Sequence, residues 1–210
     1  MNKLEELQKL KEKMEADDTL PLKKGATRLV FGVGNPDTEI LFIGEGPGYW
    51  EDMKGEPFVG NAGKLLDNVL RTIGLPRESV YITNVVHHRP PENRDPLPEE
   101  ISAYGKYLDE IIKIIDPEVI ITLGRFSMGK FLIGVTISSV HGKVQRVNWK
   151  GKEMVVVPMY HPAAALRNGN MMFSFKDDFR KVPEFLEQIK EEEKTKKEEK
   201  KEDVEQMNLI

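Results

Sequence analysis

Three short segments of this 210-residue chain gather residue types that handle protons and planar ligands. The first, Gly44-Glu45-Gly46-Pro47-Gly48-Tyr49-Trp50-Glu51-Asp52, is followed by Gly55-Glu56-Pro57-Phe58-Val59-Gly60-Asn61-Ala62-Gly63. Its glycines let backbone approach a ligand closely, Glu45 and Glu51 offer carboxylates, and Phe58 offers a stacking face. The second runs from Asn84 through Val85-Val86-His87-His88-Arg89-Pro90-Pro91-Glu92-Asn93 to Arg94. Its Asn carries both a donor and an acceptor, which suits reading the polar edge of a planar base. The third, Tyr160-His161-Pro162-Ala163-Ala164-Ala165-Leu166-Arg167, contains a histidine able to donate to a developing anion. Each also has a plain structural reading: a glycine-rich turn, an Asn capping its own loop, a His that is simply a satisfied polar group.

Apolar runs precede these segments. Glu39–Gly44, Val80–Val86 and Val119–Gly124 read as buried strands, the signal of a parallel sheet. Between the first two, Leu65, Leu66, Val69, Leu70 and Ile73 form a helical face closed by Gly74. Between the second and third, Ile101, Tyr104, Leu108, Ile111, Ile112 and Ile115 form another, with Pro98 in its first turn. Strand, helix, strand, helix, strand is a doubly wound α/β pattern. Val144–Trp149 and Met154–Tyr160 flank Lys150-Gly151 as a hairpin, whose second arm is expected to supply the fourth sheet strand. Leu4, Leu7, Leu10 and Met14 predict an amphipathic N-terminal helix. Phe179, Val182, Phe185 and Ile189 predict a last one over about 175–189, kinked or restarted at Pro183. The expected division is a domain over 1–189 and, over 190–210, a charged extension that is either helical or disordered.

Composition narrows the class. No apolar run reaches the ~20 residues of a membrane span, and the N-terminus lacks a signal peptide's apolar core, so a cytoplasmic protein is expected. With zero cysteines, neither disulfides nor thiolate-held metals are available, and no cofactor is expected. The formal charge of −4 argues weakly against a nucleic-acid partner. A local basic rim of Lys64, Arg89, Arg94, Lys143 and Arg167 would answer that objection.

Taken together, the three segments resemble the uracil-DNA glycosylase superfamily, and their wording is closest to family 4. The agreement runs from about Asp17 to Ile189 and includes Val30-Phe31-Gly32-Val33-Gly34-Asn35. The resemblance implies a three-layer αβα sandwich on a central four-stranded, mostly parallel sheet. It also implies excision of uracil extruded from single- or double-stranded DNA. By the same resemblance, Phe58 stacks on the base, Asn84 reads its Watson–Crick edge, Gly46 lies against it, and Glu51 crowds C5 to exclude thymine. His161 donates to O2, Glu45 is the catalytic carboxylate, and Arg89, Arg94 and Arg167 meet DNA. The partner implied is uracil-containing DNA, bound by a monomer. A catalytically silent DNA- or base-binding module is the alternative.

The chain departs from the family at one place. Typical family 4 members hold a [4Fe–4S] cluster on four cysteines, and the matching positions here are Asp17, Leu20, His88 and Tyr104. Leu20, Leu22 and Tyr104 are expected to pack where the cluster would lie, with His88 hydrogen-bonded to Asp17. At the C-terminus, Gln206-Met207-Asn208-Leu209-Ile210 resembles the start of a sliding-clamp binding peptide but lacks its two aromatics.

Overall fold

A computed structural model describes residues 2–207. In chain order its elements are α1 (Lys3–Ala16), β1 (Val33–Gly34), β2 (Ile40–Gly44), α2 (Tyr49–Lys54), α3 (Asn61–Thr72), β3 (Tyr81–Asn84) and α4 (Pro98–Ile115). There follow β4 (Val119–Leu123), α5 (Arg125–Gly129), α6 (Ile137–Val140), β5 (Gln145–Trp149), β6 (Lys152–Met159), α7 (Pro162–Arg167) and α8 (Gly169–Met207). No helix among the described residues is long and apolar enough to cross a membrane.

The apolar runs become strands because both of their faces are covered. Successive side chains of a strand point to opposite faces. Thus Leu41, Ile43, Ile120 and Val156 join α1 and α4 in one core, while Ile40, Phe42, Ile121 and Val157 join α3 and α8 in the other. The sheet order is β1-β3-β2-β4-β6-β5. Its four central strands are parallel, as the doubly wound pattern requires, and β1 and β5 pair antiparallel at the edges. The expected four-stranded parallel core is present and gains an antiparallel edge strand on each side. The two residues of β1 are too few to show a period, and β5 joins the sheet as the hairpin arm of β6. Lys150 (φ 52°) and Gly151 (φ 85°) form the tight turn between them.

Pro183 lies inside α8 without interrupting it, although it removes one donor from the ladder. Phe179, Val182 and Ile189 are buried on either side of it and hold the helix against the sheet. The charged segment from 190 onward continues α8 up to Met207. Asn208, Leu209 and Ile210 of the clamp-like peptide lie outside the described residues.

The four positions that the family resemblance matches to cluster cysteines lie in one region here, bonded or packed through α4. Leu20 and Leu22 are buried with Tyr104 and Tyr107 in the core that α1 helps to close. Tyr104 is fully buried, and its hydroxyl lies 2.7 Å from His88 Nδ1. Asp17 instead accepts from Tyr107 (2.7 Å) and Lys106 (2.9 Å) on the next turn of α4. The expected His88–Asp17 bond is thus corrected to two separate pairs, because Tyr104 and Tyr107 point along one helix face toward different partners. A carboxylate, an isobutyl group, an imidazole already bonded to a phenol, and that phenol do not fit a thiolate-held cluster.

Packing here should therefore contribute what ligation contributes elsewhere. Leu20→Ala is expected to lower unfolding free energy by about 2–5 kcal/mol. Tyr104→Phe should cost less, about 1–3 kcal/mol, by leaving His88 Nδ1 buried without a donor. Urea unfolding checks both; wild-type midpoints in both variants would contradict this account.

Candidate active site

All four parallel strands end at one edge of the sheet, the edge where ligands bind in open α/β folds. A cavity of about 340 Å³ opens there, lined among others by Glu45, Gly46, Glu51, Phe58, Asn84, His161 and Arg167. The three segments singled out by residue type thus converge on one pocket.

Phe58 forms its floor in an unusual backbone state, with φ of 54°. A non-glycine residue there is strained by about 1 kcal/mol or more and needs outside support. Arg77 supplies it: one Nη donates to Phe58 O at 3.2 Å, the other donates to Pro57 O, and Asp67 anchors the guanidinium at 3.0 Å. Gly63 is required beneath, since a Cβ there would collide with the Phe58 carbonyl. Gly44 is required as well, because the Phe58 ring would lie 2.5 Å from a Cβ at that strand end.

Asn84 closes β3 and is almost wholly buried. Its Oδ1 is enclosed without a hydrogen-bond partner, next to Gly44 and the Phe58 ring, while the residue as a whole lines the cavity. Opposite, His161 is the N-cap of α7, and its Nδ1 accepts from Ala163 N–H at 3.1 Å. That bond fixes the tautomer: the ring proton sits on Nε2, leaving it as the donor. Burial, with Arg167 in second place, lowers the His161 pKa to about 4, so the ring is neutral at pH 7. The rings of Phe58 and His161 are 5.7 Å apart.

Glu45 is the counterpart in charge. Burial pushes its carboxyl up to about 7, with Asp95 adding to the shift and Arg125 opposing it. Glu51, expected only as a wall, accepts from Gly48 N–H (3.2 Å), Val59 N–H (2.9 Å) and Gly60 N–H (2.8 Å). It therefore ties α2 to the Phe58 loop while lining the pocket. Gly46 lacks a side chain because Val86 Cγ2 would lie 2.6 Å from its Cβ.

The basic residues separate. Arg167 lines the cavity, and Arg89 lies over Tyr49 at the rim. Arg94 also lines it, yet its guanidinium is bidentate on buried Glu100 at 2.8 and 2.6 Å, bracing the 90–97 loop against α4. Lys143 bonds to Ser139 O, and Lys64 is exposed on α3; neither lines the pocket. Residue types also missed His141, which bonds Asp178 at 2.6 Å and lies 4.4 Å from the Tyr160 ring, steadying the turn before His161. No sequence signal links Arg77 to Phe58 or His141 to Asp178, since each pair meets only through tertiary packing.

His87 and His88, adjacent in the chain, have separate partners. Thr83 donates to Phe31 O, so its oxygen accepts from His87 Nε2 at 3.2 Å. Among the described residues, no group of three or more His, Cys, Asp or Glu could hold a metal ion.

Known proteins match this sequence. The family model of the uracil DNA glycosylase superfamily covers residues 31–189. The chain belongs to that superfamily. A type-4 uracil-DNA glycosylase from Archaeoglobus fulgidus is 50% identical over 78% of this chain and 84% of its own. Type-4 enzymes of Sulfurisphaera tokodaii (46%, over 86% of this chain and 85% of theirs) and Thermotoga maritima (45%, over 75% and 81%) are similar.

The His161 assignment is open to direct measurement. Nitrogen chemical shifts should show the Nε2–H tautomer, and the ring should remain neutral as pH falls from 8 to about 5, protonating only near 4. A midpoint near 6.5 would show that the ring is solvated and not buried as described.

Proposed function

We propose that this chain is a uracil-DNA glycosylase: it draws a uracil nucleotide out of DNA and hydrolyses the bond between base and deoxyribose, leaving an abasic site. The observation that carries the reading is the Asn84 carboxamide, whose oxygen is buried and unpaired, lining the same cavity as the Phe58 ring. Uracil N3–H is a donor suited to that acceptor, and the Asn84 amide N–H would meet O4. Cytosine presents the opposite pair, an acceptor at N3 and a donor at position 4, and so would leave both groups facing like partners.

As the bond to N1 breaks, its electron pair moves into the base and negative charge collects on O2. His161 Nε2–H meets that charge. A neutral donor, held in its tautomer by Ala163, needs no reorganisation during the step. Positive charge is left on the sugar, where Glu45 as carboxylate stabilises it and orients a water toward C1′, accepting a proton as the new C–O bond forms. Glu51 forms the wall at C5, and Arg89 and Arg167 address phosphates. The enzyme acts as a cytoplasmic monomer in this reading and needs no metal.

Three measurements test this. Uracil-containing oligonucleotides should yield alkali-labile sites in the presence of a chelator, whereas a silent DNA- or base-binding module would yield none. His161→Ala should slow single-turnover cleavage by about 10²–10³ with little loss of DNA binding. Asn84→Asp, unable to donate to O4, should lose selectivity against cytosine. Parental rates in both variants would remove the site assignment.

The pH dependence follows from Glu45. Its carboxyl stays protonated until about pH 7, so activity should climb through pH 7 and level off above it. Stability should run the other way. A folded-state pKa above the unfolded value adds stability that is full below 4.5 and lost as pH rises through 7. Glu45→Gln should therefore be inactive yet more stable than the parent at pH 8, which thermal unfolding can check.

A further inference from the structure

Beside the pocket, the short helix α2 carries two aromatic residues that the fold does not use. Asp52 is buried and accepts from the backbone N–H groups of Thr27 (2.8 Å) and Arg28 (3.2 Å), and Glu51 faces the pocket. Tyr49 and Trp50 are instead 49% and 58% exposed, with ring centroids 5.2 Å apart and planes at 80°. Large aromatics left in water beside a binding cavity are a feature of recognition surfaces.

The pair is continuous with the pocket on two sides. Trp50 Cδ1 lies 3.5 Å from where Gly60 would place a Cβ, and Gly60 N–H is one of the donors to Glu51. On the other side the Arg89 guanidinium lies over Tyr49 at 5.2 Å, and its Nε donates to pocket-lining Asn93 at 2.7 Å. A cation, two aromatic faces and the mouth of the cavity thus form one surface. The complementary ligand is a chain that alternates anionic groups with planar rings, which is a nucleic-acid strand.

We propose that Tyr49 and Trp50 form a stacking platform for the nucleotide next to the extruded uracil, with Arg89 on the intervening phosphate. The inference rests on the reading of the pocket as a uracil site in DNA. Bases in a duplex are already stacked on one another, whereas those of a single strand are open to Trp50. The platform therefore favours single-stranded substrate at the level of KM.

The chain has two tryptophans, and Trp149 lies at the far edge of the sheet, packed near Phe131. In a Trp149→Phe background, fluorescence reports on Trp50 alone. A uracil-free single-stranded oligonucleotide should quench it saturably, and a duplex of the same sequence much less. Trp50→Ala should raise KM for single-stranded uracil substrates about tenfold, with Trp50→Phe restoring most of the loss. Trimming the flanking nucleotides, one side at a time, should make parent and Trp50→Ala alike on one of the two trimmed substrates.

Unquenched fluorescence with single strands would overturn the proposal. So would an equal KM in parent and Trp50→Ala, or an equal deficit of Trp50→Ala on full-length and trimmed substrates, which would mean damage to Glu51 and not lost stacking. The quenching arm contains no uracil, so failure of the platform and failure of uracil excision give different results.

Discussion

A buried acceptor with no donor costs about 1–3 kcal/mol, and this fold sustains that cost at Asn84 Oδ1. The surrounding structure keeps the carboxamide from relieving it. The residue ends β3, where Gly44 of β2 pairs with it directly and β1 holds the strand two residues earlier. Thr83, one residue earlier, is bonded to Phe31 O and His87 and cannot drift. Phe58 presses over Gly44 beside the carboxamide, and Arg77 and Gly63 keep Phe58 there despite its strained backbone. Asn84 and Phe58 are thus held in place by the fold itself, independently of any ligand.

Burial also sets the two titrating groups apart. The same removal from water raises the Glu45 carboxyl to about 7 and lowers the His161 imidazole to about 4. Near neutral pH the histidine is thereby a neutral donor, while the carboxylate is poised between its two forms. Reactions that separate charge between a leaving base and a sugar benefit from such fixed groups in a dry cavity more than from surface charges. The formal charge of −4 does not set these electrostatics, which come from burial and immediate neighbours inside the cavity.

The N-terminal region shows how a fold can hold the same segments together with different chemistry. Leu20, Leu22, Tyr104 and Tyr107 supply an apolar seam, and two polar pairs, His88–Tyr104 and Asp17–Tyr107, close it at its ends. The Asp17 carboxyl is held well below its usual range by bonds from Thr19, Lys106 and Tyr107. His88 belongs to the loop that leaves Asn84, so this seam lies a few residues behind the pocket and supports the loop that carries Arg89.

The sequence by itself determined the layers and the pocket edge. Strand burial is written in contiguous apolar residues, and helix faces in their 3.6-residue period. The chemistry-bearing segments follow the strands directly, so Glu45, Asn84 and His161 had to emerge at one edge. Tertiary structure alone decided the rest. Arg77 reaches Phe58 across 19 residues, Asp178 reaches His141 across 37, and Arg94 is drawn to Glu100 rather than outward. The His161 tautomer, the raised Glu45 carboxyl and the unpaired Asn84 oxygen depend likewise on what lies nearby in space. Periodicity records how much of a segment is buried, whereas hydrogen-bond partners and local dielectric are set by neighbours that no stretch of chain contains.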